Sequence, residues 1–305
     1  MLKEQPKVVK NAFEEAICNL QSKIDGFVFP LILPPFMNIN EDVLFDVFGN
    51  LRKMGKVKDL HVLIYSYGGD AHTAFHIGRL LQKFATGKLI IYILREAKSA
   101  ATLISCAANT IIFTDISELG PMDPQITNKT TKESYSPLAI KHTMELLSEE
   151  SKLDHKVLVE ILSGKLPGPL VLGEHLKSLD TAKDYIYKLL TGRMFTDKKD
   201  SEIARTIANK LVLGYPDHGY CIDYLEAKEI GLKVEEAGED ISDKLWNVMK
   251  VYKRIWDEFL RIMKDNKDSG EKDSAIKLLT DLQDAVDKLI EKQLTVKKVS
   301  GTEKK

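Results

Sequence analysis

Two short motifs in the first half of the chain combine residues that could attack a carbonyl group and stabilise the resulting anion. Ser66–Asp70 follows a predicted strand and precedes a predicted helix, and its paired glycines permit a sharp turn that exposes backbone N–H groups. Ala97–Thr102 follows the next predicted strand and places Ser99 at the start of a helix of small residues. Backbone N–H groups can stabilise an oxyanion, and a serine hydroxyl can act as the nucleophile of acyl transfer.

Each motif alone also has an ordinary structural explanation. The glycines could form a plain turn from strand to helix, and Ser99 could act only as a helix N-cap. Together the motifs are more informative, because the carboxyl ends of neighbouring parallel strands meet at one edge of a sheet. One strand end then offers a glycine N–H, and the next offers the Ser99 hydroxyl and the Ala100 N–H. Neither a phosphate-binding glycine motif nor the GxSxG nucleophile elbow occurs in the sequence.

The elements that must position these motifs alternate between strand and helix. Apolar runs predict strands at 27–33, 60–65, 88–94 and 110–113, and apolar residues at helical spacing predict a helix at 71–84. Such strands, separated by helices, predict an α/β fold whose parallel sheet is covered on both faces.

The rest of the chain is predicted to be mostly helical. Two prolines and three glycines between Gly164 and Gly173 predict a loop, followed by a helix from about Leu179 to Leu190. Further on, a heptad pattern is formed by Ile241, Leu245, Val248, Tyr252, Ile255, Phe259 and Ile262. A second apolar helix follows a break at 266–270, which predicts a helical hairpin packed on itself, on the domain or on another subunit.

Composition excludes several classes of protein. The chain has 305 residues, and its 44 Lys and Arg against 45 Asp and Glu give a net charge of −1, which argues against a dedicated nucleic-acid binder. The apolar stretch Gly26–Met37 is short and broken by prolines, so we predict no membrane span. The charged N-terminal residues 1–10 lack an apolar secretory core, and we predict a cytoplasmic protein.

The cysteines and histidines do not suggest a metal or a cofactor. Cys18, Cys106 and Cys221 are far apart, which fits a reducing compartment better than a disulfide framework or a CxxC metal site. His72 and His76 lie one helical turn apart but have no acidic or cysteine partner at ligand spacing, so we interpret them as helix-surface residues. No metal and no cofactor are predicted.

Three motifs in order resemble the serine dehydrogenase proteinase family: Tyr65–Asp70, Ala97–Ile104 and Ser117–Gln125. That family is similar to the Clp protease proteolytic subunit and to signal peptide peptidase A, within the crotonase-like superfamily of stacked ββα units. Residues 218–232 resemble the end of the same domain, so the resemblance covers roughly 27–234.

The resemblance implies a domain organisation. Residues 26–238 would form a Clp/crotonase-like catalytic domain, with a mostly helical insertion at about 127–178. An N-terminal helical segment (1–25) would precede it, and the helical hairpin with a frayed tail (239–305) would follow. Because relatives of this kind form rings or trimers, the resemblance also implies a homo-oligomer.

Site residues carry over from the family one by one. Ser99 falls where relatives place the nucleophilic serine. Gly69 and Ala100 fall where they place the oxyanion-hole N–H donors, and Gly68 supports the turn. The general base departs from the Clp pattern, because the corresponding stretch, residues 118–125, contains Asp123 but no histidine.

The base must therefore come from elsewhere. His218 ranks first, because it lies in a loop before the last helix of the domain and imidazole titrates near neutral pH. Lys177 ranks second, because it resembles the lysine position of enzymes of the signal-peptide-peptidase type, and Lys141, on the predicted helical insertion, ranks third. Either lysine must be desolvated to lose its proton. A structural histidine and solvated surface lysines are the competing interpretations.

We therefore predict a serine hydrolase, with a peptidase favoured, that acts on a peptide or protein substrate through an acyl-enzyme on Ser99. One alternative is a catalytically silent assembly or interaction protein of the same fold, suggested by the missing Clp-type histidine and the heptad helices. Another is a crotonase-like acyl-CoA enzyme that uses the same oxyanion donors without a covalent serine.

Overall fold

A computed structural model of the chain describes residues 6–123, 126–127, 134–135, 169–264, 280–281 and 284–295. The strands of this part are β1 (Phe27–Ile32), β2 (Leu60–Ser66), β3 (Leu89–Ala97), β4 (Thr110–Phe113), β5 (Glu118–Leu119), β6 (Ile126–Thr127), β7 (Ser134–Tyr135) and β8 (Val234–Glu236). Six of them form a parallel sheet in the order β1-β2-β3-β4-β8, with β5 paired to the end of β3. β6 and β7 form a separate antiparallel pair.

Helices flank the sheet. They are α1 (Pro6–Gln21), α2 (Glu41–Met54), α3 (Ala71–Phe84), α4 (Ala100–Ser105), α5 (Pro169–Arg193), α6 (Ser201–Leu213), α7 (Tyr224–Glu229), α8 (Glu239–Lys264) and α9 (284–295). None of these described helices is both long and apolar enough to cross a membrane. The prediction of an α/β fold with a parallel sheet is confirmed.

Both faces of the sheet are buried, as the continuous apolar strands predict. One face packs against α2 to α6, whose apolar residues share a core with Phe29, Ile64 and Ile93. The other face, which includes Val28 and Leu63, packs against α1, α8 and α9. The described residues of the heptad pattern contribute to this second core, so α8 packs on the domain itself.

The prediction of a loop at 164–173 is wrong for residues 169–173, which are helical. Helix α5 begins at Pro169 and continues through Gly173 to Arg193. Proline is well suited to the first turn of a helix, because the missing N–H would have no partner there. A glycine inside a helix costs only about 0.5–1 kcal/mol, which packing can offset. Most of the predicted insertion at about 127–178 lies outside the described residues.

The edge of the sheet at β1 is covered by side chains from α1 and α9. β1 is an edge strand, and its outward-facing Val28 N–H donates to Oε1 of Gln293 (2.9 Å) and of Gln21 (3.0 Å). The Val28 carbonyl in turn accepts from Nε2 of Gln293 (2.9 Å). Pro30, two residues further along, has no N–H to offer a second chain. An edge with few free donors is a poor template for aggregation.

We predict that Gln293→Ala lowers the free energy of unfolding by about 1–3 kcal/mol, because it removes two hydrogen bonds from a partly buried strand edge. Urea denaturation measures the change. Lys288→Ala on the same helix is the matched control, because Lys288 is exposed and should shift stability by less than about 0.5 kcal/mol. Equal effects of the two variants would contradict a role of Gln293 at the edge.

Candidate active site

The turn after β2 is built from glycines because another backbone lies against it. Gly68 (φ 104°) and Gly69 (φ 149°) have positive φ angles that favour glycine. Ile39 bonds to both sides of the pair: its N–H donates to the Gly68 carbonyl and its carbonyl accepts from the Asp70 N–H, both at 2.8 Å. A Cβ on Gly69 would lie only 2.4 Å from the Ile39 backbone. Asp70 then caps α3 by accepting from the Thr73 N–H.

The turn after β3 holds Ser99 in a strained conformation. Ser99 has φ 50° and ψ −115°, and it is the only non-glycine residue with positive φ among the described residues. Such backbone costs of order 1–3 kcal/mol and occurs preferentially at functional sites. Ser99 also makes no side-chain capping hydrogen bond to α4, so helix capping does not explain its presence. The small residues of α4 that follow are all buried.

The two turns are in direct contact. A Cβ on Gly68 would lie 2.9 Å from Ser99 Cβ, 3.1 Å from Ala100 N and 2.8 Å from the Lys98 carbonyl oxygen. The Lys98 N–H also donates to the Ser66 carbonyl at 3.0 Å. The sequence motifs that follow β2 and β3 are therefore brought together at one sheet edge.

The backbone N–H groups of the two turns differ in whether they donate a hydrogen bond. The Gly68 N–H donates to Ser66 Oγ (3.0 Å), so it serves the turn itself. Within the described part of the chain, the N–H groups of Gly69 and Ala100 have no hydrogen-bond acceptor. Backbone N–H groups without an acceptor, close to a serine, are the kind of donor from which an oxyanion hole can be built.

A cleft of about 580 Å³ opens over Ser99. It is lined by Asn38, Tyr67, Gly69, Asp70, Ala71, His72, Ser99, Met122, Lys177, Ser178, Thr181, Ala182 and His218. Two candidate bases, Lys177 on α5 and His218 before α7, thus share a cleft with Ser99, and Lys141 lies outside the described residues. Larger cavities of about 720 and 700 Å³ lie elsewhere and contain none of these residues.

The two described base candidates differ in burial. Lys177 is exposed, whereas His218 is partly buried. The Nδ1 atom of His218 is buried and has no hydrogen-bond partner within the described residues. A buried polar atom without a partner is unusual and needs an explanation.

His72 lines the cleft, which its sequence pattern does not predict. The sequence indicates only a helix-surface residue, whereas in the structure His72 Nδ1 lies 2.8 Å from the Tyr185 hydroxyl. Its position three residues after Gly69, in the first turn of α3, is the signal that could have indicated this. The described residues contain no group of three or more His, Cys, Asp or Glu side chains that could hold a metal ion.

A charged cluster forms around the side chain of Lys98, the residue immediately before Ser99. Burial alone would raise the pKa of Glu118, but hydrogen bonds from Cys221, Lys98 and Arg95 and the charge of Lys98 lower this pKa to about 2. Desolvation and the hydrogen bond to Glu118 raise the pKa of the Cys221 thiol to about 11. At neutral pH the cluster therefore holds an ionised carboxylate and a protonated thiol, which makes Cys221 a poor nucleophile.

Comparison with known families identifies the class of protein. A family model described as ClpP-like SDH-type serine proteinase matches residues 16–259. The match covers most of the chain, and the chain belongs to this family of serine proteinases. The resemblance drawn from the sequence motifs is thereby confirmed.

Two proteins of Methanocaldococcus jannaschii are similar in sequence, and both are called uncharacterized. MJ0137 is 24% identical over 222 residues, which are 73% of this chain and 68% of that protein. MJ1495 is 25% identical over 193 residues, which are 63% of this chain and 56% of that protein. The chain thus matches about two thirds of the first relative and just over half of the second.

Solved structures show more remote similarity. Two mutant structures of the 1510-N membrane-bound stomatin-specific protease match at 14% identity and a TM-score of 0.43. One covers 70% of this chain and 81% of that chain, and the other, bound to a substrate peptide, covers 70% and 76%. An enoyl-CoA hydratase from Polaromonas sp. JS666 matches at 10% identity and a TM-score of 0.33, over 84% of this chain and 88% of that chain.

We predict that Gly68→Ala destabilises the protein by about 2–4 kcal/mol, because it adds backbone strain and forces apart the turns at Gly68 and Ser99. Gly49→Ala is the matched control: Gly49 lies in α2, and an added Cβ would meet nothing within 4 Å. The control should gain about 0.5–1 kcal/mol. Thermal and urea unfolding of both variants give the comparison, and an unchanged stability of Gly68→Ala would contradict the close contact.

Proposed function

We propose that the protein is a peptidase in which Ser99 Oγ attacks the carbonyl carbon of a peptide bond and forms an acyl-enzyme. The N–H groups of Gly69 and Ala100 stabilise the tetrahedral oxyanion, and water then hydrolyses the ester. The observation that carries the proposal is the strained, uncapped Ser99 at the contact of the two turns. Membership of a serine proteinase family supports it.

A base must take the proton of Ser99 Oγ and return it to the leaving amine. His218 is the first candidate, because it lines the cleft and its Nδ1 is buried without a partner among the described residues. Lys177 ranks second, because its exposure leaves its ammonium group solvated. Lys141 ranks third, from its sequence position alone.

The substrate, the oligomeric state and the location of the enzyme are also proposals. A peptide or protein is the substrate that the family assignment favours. Assembly into a homo-oligomer is expected from the resemblance to ring-forming and trimeric relatives. The cysteines Cys18, Cys106 and Cys221 are all free, which fits the proposed reducing, cytoplasmic location.

We predict that a fluorophosphonate probe labels the wild-type protein and that Ser99→Ala reduces the labelling to background, because the probe reacts with an activated serine hydroxyl. Ser178→Ala is the matched control, since Ser178 lines the same cleft. Mass spectrometry of the labelled peptide locates the adduct. Equal labelling of wild type and Ser99→Ala, or no labelling of either, would refute Ser99 as the nucleophile.

A second comparison concerns the base. We expect His218→Ala to slow labelling by about 10²–10⁴-fold, the range typical for loss of a general base. Lys177→Ala should change the rate only a few-fold, because Lys177 is exposed. The reverse order of effects would move the assignment to Lys177, and near-wild-type rates in both variants would leave Lys141 as the remaining candidate.

A further inference from the structure

Lys98, the residue immediately before Ser99, directs its side chain into a set of oxygen acceptors. Its Nζ lies 2.7 Å from Glu118 Oε1. It also donates to the backbone carbonyls of Leu119 (3.3 Å) and Tyr220 (3.4 Å). These acceptors come from two separate segments, the strand β5 and the loop before α7. One ammonium group therefore joins the turn that carries Ser99 to both segments.

The loop joined in this way is the one that contains His218. Tyr220, whose carbonyl accepts from Lys98, lies two residues after His218. The far end of the same loop is fixed by Ile222, which exchanges two backbone hydrogen bonds with Leu119 (2.9 and 3.1 Å). The bond from Lys98 to Tyr220 thus ties the part of the loop between His218 and Ile222 to the residue next to Ser99.

The environment of Lys98 suits a fixed contact. The side chains of Lys98 and Glu118 are only 11% and 14% exposed, so solvent screens their attraction weakly. Arg95 pairs with the other oxygen of Glu118 at 3.1 Å and holds the carboxylate in place. A Cβ on Gly120 would lie 2.6 Å from Lys98 Cδ, so the glycine leaves room for the lysine stem.

We propose that Lys98 is a positioning residue, which holds the His218 loop at the correct distance from Ser99 through Glu118 and the Tyr220 carbonyl. This inference rests on the proposed function. Lys98 is not among the residues that line the cleft, so it acts through the loop and not on the substrate. Misplacement of a catalytic group by about 1 Å can cost about 100-fold in rate. Removal of the ammonium group should therefore impair catalysis by releasing His218.

The test is the rate of fluorophosphonate labelling in a double-mutant cycle of Lys98→Met and His218→Ala. We expect Lys98→Met to slow labelling by at least about 10-fold in the wild-type background. In the His218→Ala background it should add little, because the loop then carries no base to position. An equal slowing in both backgrounds would show a merely structural role and would overturn the inference, as would a wild-type rate for Lys98→Met.

Two further variants keep the test decisive. Glu118→Gln preserves shape while removing the carboxylate charge that pairs with Lys98 and Arg95 and accepts from Cys221, so it should slow labelling at least as much as Lys98→Met and serves as the test if Lys98→Met fails to fold. Lys53→Met is the matched control, since it breaks the Lys53–Asp287 pair, which is half exposed and distant in the fold. The control should label at the wild-type rate.

A second readout separates this inference from the proposed function. Hydrogen exchange of the amides at 217–222 should accelerate in Lys98→Met and not in Lys53→Met, whether or not Ser99 is reactive. If the wild type is not labelled, the proposed function fails while the exchange result still decides whether Lys98 holds the loop. Unchanged exchange at 217–222 would overturn the role of Lys98 directly.

Discussion

The contact between the backbone of Gly68 and the turn at Ser99 is the constraint on which the candidate site depends. It leaves no room for a Cβ at Gly68, which explains the glycine there. It also brings a serine hydroxyl and the N–H groups of Gly69 and Ala100 to neighbouring positions. The parallel pairing of β2 with β3 creates this contact, because both strands end at the same edge. The arrangement of the candidate site is thus a consequence of sheet topology.

Strain at Ser99 persists only because its surroundings hold it on both sides. On the C-terminal side, Thr102 Oγ1 lies within hydrogen-bond distance of the carbonyl oxygens of Ala97 (2.7 Å) and Gly120 (2.8 Å), which share its single hydroxyl hydrogen and fix the start of α4. On the N-terminal side, Lys98 is bonded through both its backbone and its side chain. Strained residues survive where the neighbouring structure determines them in this way. The side chains of Thr102 and Lys98 also bond to Gly120 and to the loop before α7. That loop contains His218, which lines the cleft.

The sequence predicts those features that depend on local pattern. Apolar runs indicate the strands, and the diglycine and Ser99 motifs fall at their carboxyl ends, so the meeting of the two turns follows from parallel pairing. The start of α5 at Pro169 does not follow from the sequence, because proline suits a first helical turn as well as a loop. His72 and the choice between His218 and Lys177 depend on how distant elements pack, which no local pattern encodes.

The heptad pattern of α8 predicts an apolar face but does not identify the surface that covers it. A heptad seam predicts that α8 packs against something apolar, and α1, α9 and the sheet face provide that surface within the same chain. α8 also contacts the loop that leads to the site, because Phe36 stacks on Phe259 (5.2 Å) and packs on Trp256 (4.9 Å). Three residues later, Ile39 bonds to both sides of the diglycine turn. Helix α8 therefore packs on the loop that, through Ile39, fixes the diglycine turn of the candidate site.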